Sequence, residues 1–182
     1  MKTLQTTRNL TFMGVMAALS IILIYVIRFP IFPAAPYLEY EPGDIPIYMV
    51  AFLFGPLSGF VVTVIACIIQ GITVSAGSGI IGIIMHIFAT GSFVLVAGNI
   101  YRMKKSRVQL VIALFAGVVT MTVTMCFWNI IFTPIYSGIP RSAIYQMLLP
   151  TILPFNLVKA GVNSIVTFIL YETIAGLIIK SR

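Results

Sequence analysis

The sequence predicts an all-α integral membrane protein, a compact bundle of six transmembrane helices with both termini in the cytoplasm. Of the 182 residues, 60% are hydrophobic and 8% are charged, whereas an ordinary soluble domain has about 25% charged residues. The mean hydropathy of +1.10 agrees with this composition. Two further observations favour a membrane bundle: short turns separate the apolar runs, and basic residues cluster at the ends of those runs. A soluble enzyme or binding domain is therefore excluded.

Six apolar segments within a single domain, residues 1–182, account for the predicted helices. The first is long enough to cross a bilayer, since a span needs about 20 residues. The second and third are shorter, and the turn GPLSG at 55–59 separates them because Gly and Pro interrupt regular structure. The last three are long. The segments cover residues 10–29, 45–54, 60–74, 80–101, 108–132 and 151–179.

The connections between these segments differ in composition. A proline-rich stretch, PIFPAAPYLEYEPGD at 30–44, follows the first segment, and the turn SAGSG at 75–79 ends the third. A short basic loop at 102–107 follows the fourth, and TPIYSGIPRSAIYQMLLP leads into the sixth. Pro or Gly occurs in three of the four, which is typical of loops.

The distribution of charge predicts the orientation. The formal net charge is +7, but the basic residues lie at segment ends, which is typical of cytoplasmic faces and not of a nucleic-acid-binding surface. Six spans then put the connections at 30–44, 75–79 and 134–150 outside, where three of the four acidic residues fall: Glu39, Glu41 and Asp44. The basic clusters are Lys2 and Arg8, then Arg102, Lys104, Lys105 and Arg107, and finally Lys180 and Arg182.

A lysine interrupts the last apolar segment, within PFNLVKAGVN at 154–163. Asn156, Lys159 and Asn163 are spaced i, i+3 and i+7, so they share one helix face. An ammonium inside the membrane costs about 2.5–3.5 kcal/mol on insertion scales. This face should therefore point into the protein or a water-filled cavity. Asp44 is one candidate counter-charge for Lys159, and a polar ligand is another.

Other polar and aromatic residues are predicted to lie inside the bundle or at its outer mouth. For Gln70 and Asn163, hydrogen bonding between helices without further function is the alternative. His86 has no second His or Cys nearby, which disfavours a metal site, and we expect no metal, cofactor or catalytic residue. The predicted substrate-binding residues are Tyr40, Asp44, Tyr48, Gln70, His86, Trp128, Asn129, Asn156, Lys159 and Asn163.

The first segment carries small residues at helical spacing. Gly14 and Ala18 form a small-xxx-small pair, with Ala17 beside them. Such residues let another helix approach closely. The sequence alone leaves two interpretations open, namely docking of a partner helix and packing within the bundle.

Four ordered stretches resemble one known family: YLEYEPGDIP, FLFGPLSG, MTVTMCFWNIIFTPIY and PFNLVKAGVN. They are similar to those of the S components of energy-coupling factor (ECF) vitamin transporters, and among these they resemble the riboflavin-type S component. The resemblance covers nearly the whole chain. It implies a vitamin-binding subunit of the bacterial plasma membrane that works with a transmembrane coupling protein and two cytoplasmic ATPases. ATP hydrolysis is then expected in the partners and not in this chain.

The same resemblance implies roles for particular residues. The family's ligand contacts match Asn129, Asn156 and Lys159, and its docking surface matches Gly14 and Ala18. The chain departs from the riboflavin pattern in EYEPGDIP, where only Asp44 matches an acid of the pattern, in VIACIIQG, and at His86. Riboflavin or a related flavin is the expected substrate, with pyridoxine or a hydroxymethylpyrimidine as the alternative.

Two further functions remain as alternatives from the sequence. An intramembrane enzyme would use His86 with Glu172, although these residues are expected near opposite ends of the bundle. A stand-alone channel or facilitator would need no ATPase partners.

Overall fold

The computed structural model describes residues 2–33, 35–74 and 79–180, so most of the turn predicted at 75–79 lies outside the described residues. The described chain is nearly all helical. Two short strands, β1 (Phe29–Pro30) and β2 (Glu39–Tyr40), separate the first two helices. The helices are α1 (Lys2–Val26), α2 (Asp44–Phe54), α3 (Pro56–Ile72), α4 (Gly79–Met103), α5 (Arg107–Ser137), α6 (Arg141–Met147) and α7 (Leu153–Lys180).

Four stretches of the described residues are long and apolar enough to cross a membrane. They are Thr7–Val26, Gly79–Met103, Arg107–Ile135 and Arg141–Thr173. The helices α2 and α3 are apolar but shorter, as the sequence predicts for the second and third segments.

The helix α2 lies at the centre of the bundle. Each residue from 44 to 52 is buried, which is expected of a helix that is apolar all round. The ring of Tyr48 stacks on Phe93 of α4, with centroids 3.7 Å apart, and its hydroxyl contacts the sulfur of Met121 on α5. The first residue of this central helix, Asp44, is thereby held inside the protein.

A tight corner joins α2 to α3. The predicted turn at 55–59 is reduced to one residue, Gly55, whose φ of 103° favours glycine. Pro56 then begins α3, since proline fits the first turn of a helix. The corner packs closely on α4, because a Cβ added to Gly98 would lie 2.9 Å from the Pro56 Cβ.

The connection between α1 and α2, residues 27–43, folds over one end of the bundle, which we call the loop end. Its strands pair antiparallel, with Phe29 opposite Tyr40, a pairing that the sequence did not predict. Arg28 donates to the Val74 carbonyl at 2.6 Å and pairs with Glu39, which ties the connection to the end of α3. Ala35 and Leu38 are buried in a small apolar cluster with Ile144, Ile152 and Phe155.

The region predicted as a loop at 134–150 is largely helical, which corrects that prediction. The helix α5 continues through Pro134 and ends at Ser137, where Gly138 follows with a left-handed φ of 71°. The short helix α6 then enters a π-helical turn at Leu148–Ile152. This wider turn contains Pro150, and proline lacks the N–H that a regular α-helical turn requires.

The close approach at Gly98 gives a test of the packing. Gly98→Ala should lower stability by about 1–3 kcal/mol, because the new methyl group meets the rigid Pro56 ring and backbone. Gly161→Ala is the matched control, since a Cβ at Gly161 meets nothing within 4 Å. Thermal unfolding in detergent should therefore show a lower midpoint for Gly98→Ala alone. Equal midpoints for the two variants would contradict this packing.

Candidate functional site

A cavity opens at the loop end of the bundle, between the connection 27–43 and the helices α4, α5 and α7. The space between its walls is about 610 Å³, counting the space open at its mouth. Its wall combines apolar side chains with polar groups. The lining residues are Tyr37, Leu38, Glu39, Gly82, Met85, His86, Ala89, Met121, Met125, Asn129, Phe155, Asn156 and Lys159.

A buried carboxylate, Glu41, lies behind the cavity wall. Its side chain is 6% exposed and receives hydrogen bonds from two helices: Lys159 Nζ on α7 donates at 3.0 Å, and Gln70 Nε2 on α3 donates at 3.1 and 3.0 Å. His86 Nε2 on α4 lies 3.3 Å from the same carboxylate. One residue of the connection therefore links three helices.

The ionisation of Glu41 follows from these contacts. Burial alone would raise its pKa, but the charge of Lys159, the proximity of His86 and the hydrogen bonds from Lys159 and Gln70 lower the pKa to about 2. Glu41 is thus a carboxylate at neutral pH. It is the counter-charge of Lys159.

Asp44, a candidate for that counter-charge, belongs to a different set of contacts. It is buried and accepts from Thr90 Oγ1 at 2.7 Å and from Asn163 Nδ2 at 3.3 Å. Asn163 also donates to the backbone carbonyl of Glu41 at 3.2 Å and accepts from the Tyr40 hydroxyl at 3.0 Å. These bonds fix the connection to the start of α2. Because α2 is central, its first carboxylate lies inside the protein and not in an exposed loop.

Two asparagines present amide groups to the cavity. Asn129 Nδ2 donates to the Met125 carbonyl and Asn156 Nδ2 to the Ile152 carbonyl, both at 2.8 Å. Thr133 donates to Asn129 Oδ1 at 2.8 Å. Within the described part of the chain, the Asn156 amide oxygen accepts no hydrogen bond, so it can accept one from a ligand.

The structure brings together four of the residues predicted for substrate binding: His86, Asn129, Asn156 and Lys159 line the cavity. The others lie elsewhere. Gln70 contacts Glu41, and the remaining polar residues hold the connection against α2, as described above. They are Tyr40, Asp44 and Asn163.

The two remaining aromatic residues of that prediction lie outside the cavity lining. Tyr48 is fully buried in the core, because the central position of α2 surrounds it with other helices. Trp128 stacks on Phe88 and Phe132, with centroids 4.5 and 5.1 Å away, and Phe88 is 43% exposed. The Trp128 ring therefore belongs to an aromatic group at the surface of the bundle, outside the cavity lining.

Some lining residues were missed by the sequence analysis. Met121 and Met125 precede Asn129 at i−8 and i−4, so helical spacing could have placed them on the same face. Glu41 had no such signal, since it lies in an irregular connection among other acidic residues.

The small residues of α1 divide between two faces. Gly14 and Ala18 are exposed, and a Cβ at Gly14 would meet nothing within 4 Å. Ala17 is buried in the hydrophobic core. We call Gly14 and Ala18 the small-residue surface of α1; Ala17 is not part of it, because a helix turns by about 100° between neighbouring residues.

The residues proposed for an intramembrane enzyme lie apart. Glu172 near the end of α7 pairs with Arg107 at the start of α5, whereas His86 contacts Glu41 at the loop end. The two groups belong to separate ion pairs, so they form no catalytic pair.

The buried ion pair gives a test by stability. Lys159→Met should lower the free energy of unfolding by about 3–5 kcal/mol, because it leaves the Glu41 carboxylate buried without its counter-charge. The double variant Lys159→Met/Glu41→Gln should recover part of the loss. Arg107→Met is the control: it breaks a pair whose arginine side chain is 72% exposed, and such pairs contribute about 0–1 kcal/mol. Unfolding in mixed detergent micelles would measure all three. Equal losses in both single variants would contradict the burial of this pair.

Comparison with known proteins identifies the family. The family model "ECF transporter, substrate-specific component" matches residues 8–171. The riboflavin transporter RibU of Staphylococcus aureus is 29% identical over 179 residues, covering 95% of this chain and 93% of that protein. The riboflavin transporter FmnP of Bacillus subtilis is 25% identical, with 90% of each chain covered.

A solved structure has the same fold. It is described as the S component of a bacterial ECF transporter, and it matches with a TM-score of 0.82 and 28% identity over 95% of this chain and 98% of that chain. The resemblance seen in the four sequence stretches is thus confirmed, as is the expectation of a multi-pass protein of the bacterial plasma membrane. The family consists of substrate-binding transporter subunits and not enzymes. This chain belongs to the family of substrate-specific components of ECF transporters.

Proposed function

We propose that this protein captures riboflavin or a closely related flavin outside the cell and releases it inside as part of an ECF complex. The observation that carries the proposal is the cavity, where Asn129, Asn156 and Lys159 meet across apolar walls. The relatives named as riboflavin transporters, similar over nearly the full length, support the substrate. A transmembrane coupling protein and two cytoplasmic ATPases would complete the complex, and their ATP hydrolysis would drive uptake.

We further propose that the whole chain, residues 1–182, is a single membrane domain with six spans. The spans are α1 to α5 and α7, with both termini and the basic loop after α4 in the cytoplasm. The clusters of basic residues support this orientation through the positive-inside rule. The cavity then faces outward, which suits the capture of a scarce vitamin.

The cavity suits a flat heteroaromatic ring. Met85, Met121 and Met125 offer adaptable thioethers for contact with ring faces and edges, and Phe155 adds an aromatic surface. The Asn156 amide oxygen would accept a ring N–H. Lys159 has three N–H donors, of which one is bonded to Glu41, so the others can donate to oxygen atoms of a ligand.

A smaller vitamin is the second candidate, because His86 departs from the riboflavin pattern and lies on the cavity wall. Pyridoxine or a hydroxymethylpyrimidine would use the same polar groups. Mass spectrometry of small molecules retained by the purified protein, with riboflavin, pyridoxine and hydroxymethylpyrimidine as standards, separates the candidates. Retention of pyridoxine without any flavin would overturn the flavin proposal.

The proposed ligand contacts predict an effect on affinity. Asn156→Ala should weaken riboflavin binding about tenfold or more, because the ligand loses a hydrogen bond in a desolvated site. The control is Asn99→Ala: Asn99 makes the same type of bond, to the Leu95 carbonyl, but is exposed on α4 and absent from the cavity lining. Titration by the quenching of flavin fluorescence measures both. A folded Asn156→Ala protein with unchanged affinity would remove this residue from the site.

The small-residue surface of α1 predicts that bulky substitutions there block transport but leave riboflavin binding intact. Gly14→Leu or Ala18→Trp should abolish uptake and co-purification with the coupling protein, because a bulky side chain prevents close helix packing. Riboflavin binding by the isolated subunit should change little. Val123→Trp, at a position 64% exposed on α5, is the control for a bulky residue on another lipid-facing helix. If the complexes of the α1 variants still assemble and transport, the partner docks elsewhere.

A further inference from the structure

The single cationic side chain at the cavity is already neutralised from within the chain. Lys159 is the only lysine or arginine among the described residues that line the cavity. Its ammonium lies 3.0 Å from the Glu41 carboxylate, and both side chains are 6% exposed. The lysine can therefore donate hydrogen bonds to a ligand without offering it an unbalanced positive charge.

The charges around this pair leave a negative excess. Glu39 at the cavity wall pairs with Arg28, so these two charges also cancel. Asp44 is buried and is held by Thr90 and Asn163, neither of which is cationic. Three carboxylates thus lie near one ammonium and one guanidinium, and His86, 3.3 Å from Glu41, adds a positive charge only when it is protonated. An anion that enters the cavity would meet this excess in a medium that screens charge poorly.

We propose that Glu41 determines charge selectivity: by neutralising Lys159 it makes the cavity accept an uncharged vitamin and reject the phosphate ester of the same vitamin. This inference rests on the proposed function. Without the carboxylate, a buried ammonium would require an anion, and a phosphate group could supply it. With the carboxylate present, a phosphate must either displace Glu41 from three helices or lie beside it as a like charge.

Glu41 acts here as a positioning and selectivity residue, because it lies behind the wall and is absent from the lining. A merely structural role predicts that replacing it lowers the affinity for every ligand alike. A role in selectivity predicts that the ratio of two affinities changes. The ratio between a vitamin and its phosphate ester is therefore the informative measurement.

The experiment compares riboflavin with riboflavin 5′-phosphate on the full chain purified in detergent, by fluorescence and calorimetric titration. The wild type should bind riboflavin at least about tenfold more tightly than its phosphate ester. Glu41→Gln keeps the shape of the side chain but frees the charge of Lys159, so it should shift this ratio at least about tenfold toward the phosphate ester. Glu172→Gln should leave the ratio unchanged, because Glu172 pairs with Arg107 and neither residue lines the cavity.

The opposite substitution keeps the test decisive if Glu41→Gln does not fold. Lys159→Gln leaves the Glu41 carboxylate and should shift the ratio further toward the uncharged ligand, even though both affinities fall. Equal wild-type affinities for riboflavin and its phosphate ester would overturn the inference. So would an unchanged ratio in a folded Glu41→Gln protein.

The same titrations with pyridoxine and pyridoxine 5′-phosphate separate this inference from the flavin proposal. If pyridoxine binds and riboflavin does not, the flavin proposal fails, and the charge preference is read from the pyridoxine pair. A preference for the uncharged member then supports the role of Glu41, and the absence of a preference overturns it. If no member of either pair binds, both proposals fall.

Discussion

The buried ion pair between Glu41 and Lys159 is the interaction on which the loop end of the bundle depends. Each charge alone would be costly inside a membrane protein, and each satisfies the other at 3.0 Å. Because Gln70 and His86 contact the same carboxylate, the pair also joins α3, α4 and α7. A connection of irregular backbone can thereby cover the end of the bundle and form one wall of the cavity.

This arrangement depends in turn on the burial of α2. A helix surrounded by other helices brings its first residues into the interior, so Asp44 and the preceding connection are drawn inward with it. The stacking of Tyr48 on Phe93 fixes the position of α2 against α4, which supplies His86 to the cavity. The core and the cavity therefore share the same helices, and a change in the packing of α2 would alter the geometry of the polar groups.

Much of the architecture could be predicted from the sequence because membrane burial leaves a strong local signal. Apolar runs located the long helices, although α1 begins earlier and α5 ends later than predicted, and the spacing of Asn156 and Lys159 identified a cavity-facing side of α7. Long-range pairing leaves no such signal. The sequence placed Glu39, Glu41 and Asp44 in a connection outside the membrane, and only the fold shows that each acid has a different partner. The burial of Tyr48 in the core and the stacking of Trp128 outside the cavity lining leave no such signal either, since the face that an aromatic residue presents depends on neighbouring helices.

The short helices α2 and α3 also bear on the surrounding lipid. At 1.5 Å per residue, the 11 residues of α2 span about 16 Å and the 17 residues of α3 about 26 Å, against a hydrocarbon thickness of about 30 Å. The shortness of α2 has no effect on lipid because other helices enclose it, but α3 is exposed at Leu57, Val61 and Ile72. Lipid next to α3 meets an apolar surface shorter than the bilayer, and either local thinning or a tilt of the protein relieves the mismatch. We therefore expect the mismatch to be relieved on the α3 side of the protein.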